Sequence, residues 1–157
     1  MPAGSGLYAW WITSEQLPGI TGPEHPTDAS LQLLYVGIAR NLHDRVVKRH
    51  IRGGTASSTL RRSLASLLLM AESYSTRWTT TRVMLAATDE PRLSGWIEKH
   101  LAVSWSEHPE PKAVEAAVIA TLRPPLNVIH NRAHPLLATV TAARASYRAS
   151  AGPRPTR

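Results

Sequence analysis

The chain has 157 residues, 43% of them hydrophobic and 18% charged, which sets a single globular domain of ordinary composition. It has no cysteine, so disulfides and thiolate metal sites are excluded, and its apolar runs, such as residues 7–12 and 64–71, are too short to span a bilayer. Eighteen Lys and Arg against eleven Asp and Glu leave a net charge of +7, and the excess is local: residues 40–62 hold seven basic side chains and one acid, Asp44. Such a patch concentrates phosphates and predicts salt-sensitive binding to a polyanion. No basic stretch leads into an apolar one at the N-terminus, so no signal peptide is expected and the chain reads as soluble and cytoplasmic.

Along the chain, "LYAWWIT" (7–13) reads as a strand, and the Pro- and Gly-rich residues 14–30 read as a long loop. "LQLLYVG" (31–37) is a second strand, placed to pair antiparallel with the first. Asn41 caps a helix from Leu42 to about Ile51, stopped by Gly53 and Gly54. Ser57 or Ser58 caps the next helix, with Leu60, Leu64, Leu67 and Leu68 on one face. "RWTTTRVMLAAT" (77–88) alternates as one third strand, and residues 90–105 read as a single helix that Asp89 caps. A fourth helix spans 111–122 and ends at Pro124-Pro125; a last one follows His134, with a frayed basic tail from Ala151. The expected class is therefore α+β, a small three-stranded antiparallel sheet flanked by about five helices, with residues 1–132 as the main domain and 133–157 as a C-terminal helix and tail.

Three features carry chemistry. Glu115 is the only charged residue between Ala113 and Leu122, so it is either compensated by a cation or set at the solvent edge of its helix. Arg45, Arg49 and Arg52 fall at i, i+4 and i+7, one face of an α-helix with few acids to neutralise it. Tyr8 and Tyr35 lie on adjacent predicted strands that can bring the two rings together, whether as core aromatics or as reactive phenols. His43 and His50 are too far apart in sequence for the usual helical zinc pair, and no Walker, dinucleotide or Gly-x-Ser-x-Gly motif is present.

Together these residues resemble the GIY-YIG nucleases. Gly6-Leu7-Tyr8 and Tyr35-Val36-Gly37 are similar to the paired motifs, with Leu7 and Val36 replacing isoleucine. Arg45 stands ten residues after Tyr35, where the family carries an arginine on its first helix. Glu115 matches the lone glutamate of a later helix, and Asn127, in "RPPLN", the asparagine that follows it. The Tyr8 to Tyr35 spacing is longer than is usual, and the helix histidine of some members has no clean counterpart, Arg49 and His50 being nearest. The resemblance spans roughly residues 5–132. It implies a small antiparallel sheet flanked by helices and hydrolysis of nucleic-acid phosphodiesters, DNA first of all, with one divalent metal, magnesium or manganese, held by Glu115. By the same resemblance Tyr8 or Tyr35 takes or relays the proton of the attacking water, and Arg45 stabilises charge on the phosphate. Nearby cations are expected to lower the pKa of the reacting tyrosine. Asn127 braces the site.

Around this core Arg40, Lys48, Arg49, His50, Arg52, Arg61 and Arg62 are expected to contact the nucleic-acid backbone. Ser58 and Thr59, at a helix start, either cap it or offer donors to a phosphate. No protein partner and no membrane contact is inferred. The competing reading is a catalytically idle nucleic-acid-binding module on the same scaffold.

Overall fold

The computed structural model describes residues 1–155. Its centre is β1 (Gly6–Thr13), whose alternation buries Gly6, Tyr8, Trp10 and Ile12 and turns Leu7, Ala9, Trp11 and Thr13 the other way. β1 pairs antiparallel with β3 (Asp28–Ala39) on one side and with β6 (Leu101–Glu107) on the other. The short β2 (Glu24–His25) adds to the outer edge of β3, giving the order β2-β3-β1-β6. The sheet is thus antiparallel, as the pattern implied, but with four strands rather than three.

Three differences from the sequence expectation account for the strand count, the first being that residues 24–25, inside the expected loop 14–30, form β2. Residues 90–105 are not one helix: α3 (Asp89–His100) ends at Leu101, whose extended backbone leads directly into β6. The alternating "LAVSWS" is the strand signal, and neither glycine nor proline marks the junction. Residues 77–88 are not one strand: β4 (Thr76–Trp78) and β5 (Val83–Leu85) form a separate hairpin. The Thr79 amide donates to the Arg82 carbonyl (2.8 Å) and closes its turn.

The main core lies on one face of the sheet. Tyr8, Trp10 and Ile12 meet Leu42 and Val46 from the first helical segment, Leu60 and Leu64 from α2 (Thr59–Leu68), and Leu93 and Ile97 from α3. The last helix, α5 (Leu137–Ala149), packs on α2 and puts Val140 and Tyr147 into this same core. Of the tail expected to fray, the described residues 151–155 are tied down, the Trp78 indole donating to the Gly152 carbonyl (2.9 Å) and Arg154 bonding to the Thr80 carbonyl; Thr156 and Arg157 lie outside the described residues. α4 (Pro111–Leu122) covers the opposite face, where Ile119 packs on Leu33 and Val36. Only Pro111 and Ile119 of this helix are buried; Ala113, Ala116, Ala117 and Ala120 are exposed. Glu115 therefore sits half-buried on a mostly solvated helix, not in an apolar interior.

A bulge sets the direction of Tyr35. Trp10 faces Tyr35 and Trp11 faces Leu33, so Leu34 has no partner on β1. Consecutive residues Leu34 and Tyr35 both join the main core, while Leu33 and Val36 join the cluster under α4. Re-aiming a side chain is what a bulge does.

Candidate active site

The two glycine-tyrosine motifs meet across the β1–β3 ladder, where Tyr8 is paired in register with Gly37. A Cβ at position 37 would fall on the Tyr8 ring, so glycine there is what lets the ring lie across the neighbouring strand. Gly6 is required similarly, against the Ser106 carbonyl of β6. The Tyr8 and Tyr35 ring centroids are 6.4 Å apart. The predicted meeting of the two phenols is thus present in the fold.

The helix after Tyr35 supplies the next two groups. Asn41 Oδ1 accepts the Asp44 amide (2.8 Å) and starts α1 (Asp44–Ile51). α1 is not an ordinary α-helix: its backbone closes i→i+5 turns, as in the Arg52 amide to Val47 carbonyl bond (3.0 Å). One extra residue per turn puts Arg45 above His50 rather than above Arg49, which breaks the expected Arg45–Arg49–Arg52 face. Arg45 is half-buried and its Nε donates to the Tyr8 hydroxyl (3.3 Å), whereas Arg49 and Arg52 are exposed. His50, fully buried, places Nε2 at 2.7 Å from the same hydroxyl. The uncertain position of the helix histidine is explained by this wide turn: the residue stands one place later in sequence yet reaches the first tyrosine.

A hydrogen-bond chain continues behind His50. Its Nδ1 lies 2.7 Å from Ser58 Oγ, and Ser58 also accepts the Arg61 amide (3.1 Å) as the cap of α2. Ser58 is therefore a cap and a histidine partner, fully buried and turned away from any phosphate. In one tautomer the Tyr8 hydroxyl donates to Nε2 while Nδ1–H donates to Ser58. In the other Nε2–H donates to Tyr8, whose own proton is then free to point outward. Burial, then the Arg45 and Arg61 guanidiniums, push His50 down to about 3, so the ring is neutral at pH 7.

The phenols behave opposite to the sequence expectation. Burial holds both Tyr8 and Tyr35 above the ordinary tyrosine value, and the pull of Arg45 does not offset it. The Glu115 carboxylate is close enough to press on both phenols in the same upward direction. Neither tyrosine is a phenolate at neutral pH; each can act only as a hydroxyl.

Tyr35 and Glu115 open onto one cleft of about 290 Å³, walled also by Thr59, Asn127, His130 and Arg144. Glu115 makes no hydrogen bond or ion pair among the described residues, leaving its carboxylate free toward the cleft. No group of three or more His, Asp or Glu side chains is arranged around a common centre among the described residues. The chain thus offers a cation one carboxylate, with water and substrate oxygens to complete the shell. That donor set fits a hard ion such as magnesium. Asn127 does not face the cleft with its amide. Its Oδ1 accepts the Val36 amide (2.9 Å) and its Nδ2 donates to the Val36 carbonyl (2.8 Å), satisfying the open edge of β3 beside Tyr35.

The expected backbone contacts divide. Arg49 and Arg52 are exposed without ion pairs among the described residues, and Arg40 is exposed in a groove that also holds Glu110 and Lys112. Lys48 is exposed but paired with Asp44 (2.7 Å). His50 and Arg61 are fully buried and cannot touch a strand from where they lie. Arg61 instead pairs with Glu90 (2.8 Å) and donates to the carbonyls of His50 (3.0 Å) and Ile51 (2.8 Å), fastening the end of α1 to α3. Sequence reasoning missed Arg144 as a wall of the cleft. The signal was available, because residues 136–157 contain arginines and no acid.

A family model of the GIY-YIG catalytic domain matches residues 6–146, nearly the whole chain. No curated protein and no solved structure matches it. The chain belongs to the GIY-YIG family, a nuclease superfamily.

Proposed function

We propose that this GIY-YIG domain is a divalent-metal-dependent endonuclease acting on nucleic-acid phosphodiesters, DNA first. The observation that carries the reading is the unpaired Glu115 carboxylate facing a cleft that Tyr35 also lines, with the Tyr8 and His50 rings each 6.4 Å from the Tyr35 ring and Arg45 on the Tyr8 hydroxyl. Magnesium, when held by Glu115, would polarise a phosphoryl oxygen and steady the leaving oxygen.

The chain's own residues handle charge and proton. Arg45 meets the negative phosphate, and exposed Arg49 and Arg52 guide the strand. Tyr8 receives the proton of the attacking water as its own hydroxyl proton passes to His50 Nε2, the ring's other proton resting against Ser58. His50 is a poor base in the free protein. A phosphate seated on Arg45 cancels one of the charges that depress it, which raises its affinity for the proton when substrate is bound. Tyr35 holds the water in line from the cleft wall. Asn127 keeps Tyr35 in place by holding the Val36 backbone.

Supercoiled plasmid tests the reading. Purified protein with magnesium should convert it to the nicked form. Chelator, Glu115→Ala, Tyr8→Phe or Tyr35→Phe should each slow that conversion by about a hundredfold or more. Equal trace nicking by wild type and all three variants would defeat the proposal. DNA retention at low salt without any cleavage would point to a binding module instead.

A further inference from the structure

α2, α5 and the β4–β5 hairpin enclose a second pocket, of about 270 Å³, on the far side of Arg144 from the cleft. Its walls bring together Arg62, Arg82, Arg144 and Arg148 with the rings of Trp78 and Tyr147. No carboxylate lines it, and none of the four guanidiniums takes part in an ion pair among the described residues.

Four cations converging without a counter-ion repel one another. Burial, then Arg82, lowers Arg62 from its ordinary value, and burial, then Arg62, does the same to Arg144. Their hydrogen bonds are only partly made. Arg82 Nη1 donates to the Ala56 carbonyl (2.7 Å), Arg62 reaches its acceptors only at 3.4 Å, and Arg144 gives Nη2 to Ser63 Oγ (2.5 Å) while its Nε is buried with no partner. Trp78, with Arg148 5.7 Å from its ring centroid, keeps that guanidinium turned toward the pocket. The cluster is held in place and concave, with no carboxylate among its walls.

We propose that this pocket is a second phosphate subsite, taking a backbone phosphate near the one cut, on the strand that runs through the Tyr35–Glu115 cleft. Arg144 belongs to both walls, so the two sites adjoin across its side chain. Arginine suits the task, since its planar fork matches phosphate oxygens in pairs. The proposal rests on the nuclease reading and adds to it a fixed point that positions the strand.

The test uses the full chain carrying Glu115→Gln, so that bound DNA stays intact, and a fluorescein-labelled DNA duplex titrated between 50 and 200 mM salt. Adding Arg82→Gln and Arg148→Gln should lower the slope of log affinity against log salt by about 1 and weaken binding about tenfold at the middle of the range. Thermal stability should be unchanged or raised, because repulsion is removed. Lys99→Gln removes an exposed charge elsewhere and should change the slope by less than half as much.

A slope equal to that of Glu115→Gln alone, or an equal loss in the lysine control, overturns the subsite. So does saturation of the pocket by inorganic phosphate or a free mononucleotide at concentrations that leave the duplex bound, which would make it a free-anion site. If the Glu115→Gln parent shows no salt-dependent binding at all, the nuclease reading falls as well. If the parent binds and the double variant matches it, the subsite alone is refuted.

Discussion

Arg61 and Arg62 are neighbours in sequence with opposite surroundings. Arg61 is fully buried, paired with Glu90, and uses Nη1 and Nη2 on the His50, Ile51 and Glu90 carbonyls and on Ser94. Arg62 is half-buried beside Arg82 and Arg144, with long hydrogen bonds and no carboxylate partner among the described residues. One arginine is structural because a glutamate from another helix meets it. The other stands where an anion from outside would complete it. A run of basic residues therefore mixes scaffold with binding surface, and the acids that arrive from distant elements sort the two.

The strongest way to break this contrast is to neutralise each arginine's surroundings in turn. Glu90→Gln keeps the shape of the partner but leaves the Arg61 cation buried and uncompensated. It should cost about 3–5 kcal/mol in urea unfolding. Arg62→Gln should change stability by less than about 0.5 kcal/mol. Similar losses for both would show that the two arginines are equally structural.

A second test separates His50 from the charges around it. Its folded value of about 3 lies below the unfolded 6.5, so between these the unfolded chain binds a proton that the folded chain refuses. The contribution is complete above the unfolded value and is lost as the pH falls toward the folded one. Between pH 7 and pH 5 the wild type should lose about 2 kcal/mol more than His50→Gln, in which that titration is absent. Equal losses, read from urea midpoints at the two pH values, would mean that His50 is not held neutral inside the fold.

The parts of the site legible in sequence were those with local backbone or chemical demands. Tyr8 and Tyr35 were placed by the strand pattern, and Gly37, Arg45 and Asn127 were singled out by the resemblance to the family's motifs. What stayed hidden depended on long-range packing. The wide turn of α1 leaves no mark, because Val46, Val47 and Ile51 suit an ordinary helix as well, so His50 was assigned to the surface. β6 was hidden by a helix that passes into a strand without a breaker. Arg61 was read as a phosphate contact because Glu90, twenty-nine residues later, is what buries it. The phenols were expected to be acidified by nearby cations. Desolvation outweighs those cations, and desolvation depends on packing that no spacing rule reports.

The smallest effect concerns the exposed arm of the patch. Lys48 and Asp44 form an i,i+4 ion pair at 2.7 Å, both ends well exposed to solvent. Such exposed pairs contribute little, even though here the acid lies N-terminal to the base, the favoured order. Lys48→Ala should therefore leave the urea midpoint close to that of the wild type. Its effect on DNA should also be smaller than that of Arg49→Ala or Arg52→Ala, because the Lys48 charge is already partly neutralised by Asp44. Salt titrations of the three single variants decide the matter: Arg49 and Arg52 should each reduce the slope by close to 1, and Lys48 by distinctly less. If Lys48→Ala gives the full reduction, the Asp44 pair opens when a strand arrives, and the free and paired cations of α1 are no longer distinct in the complex.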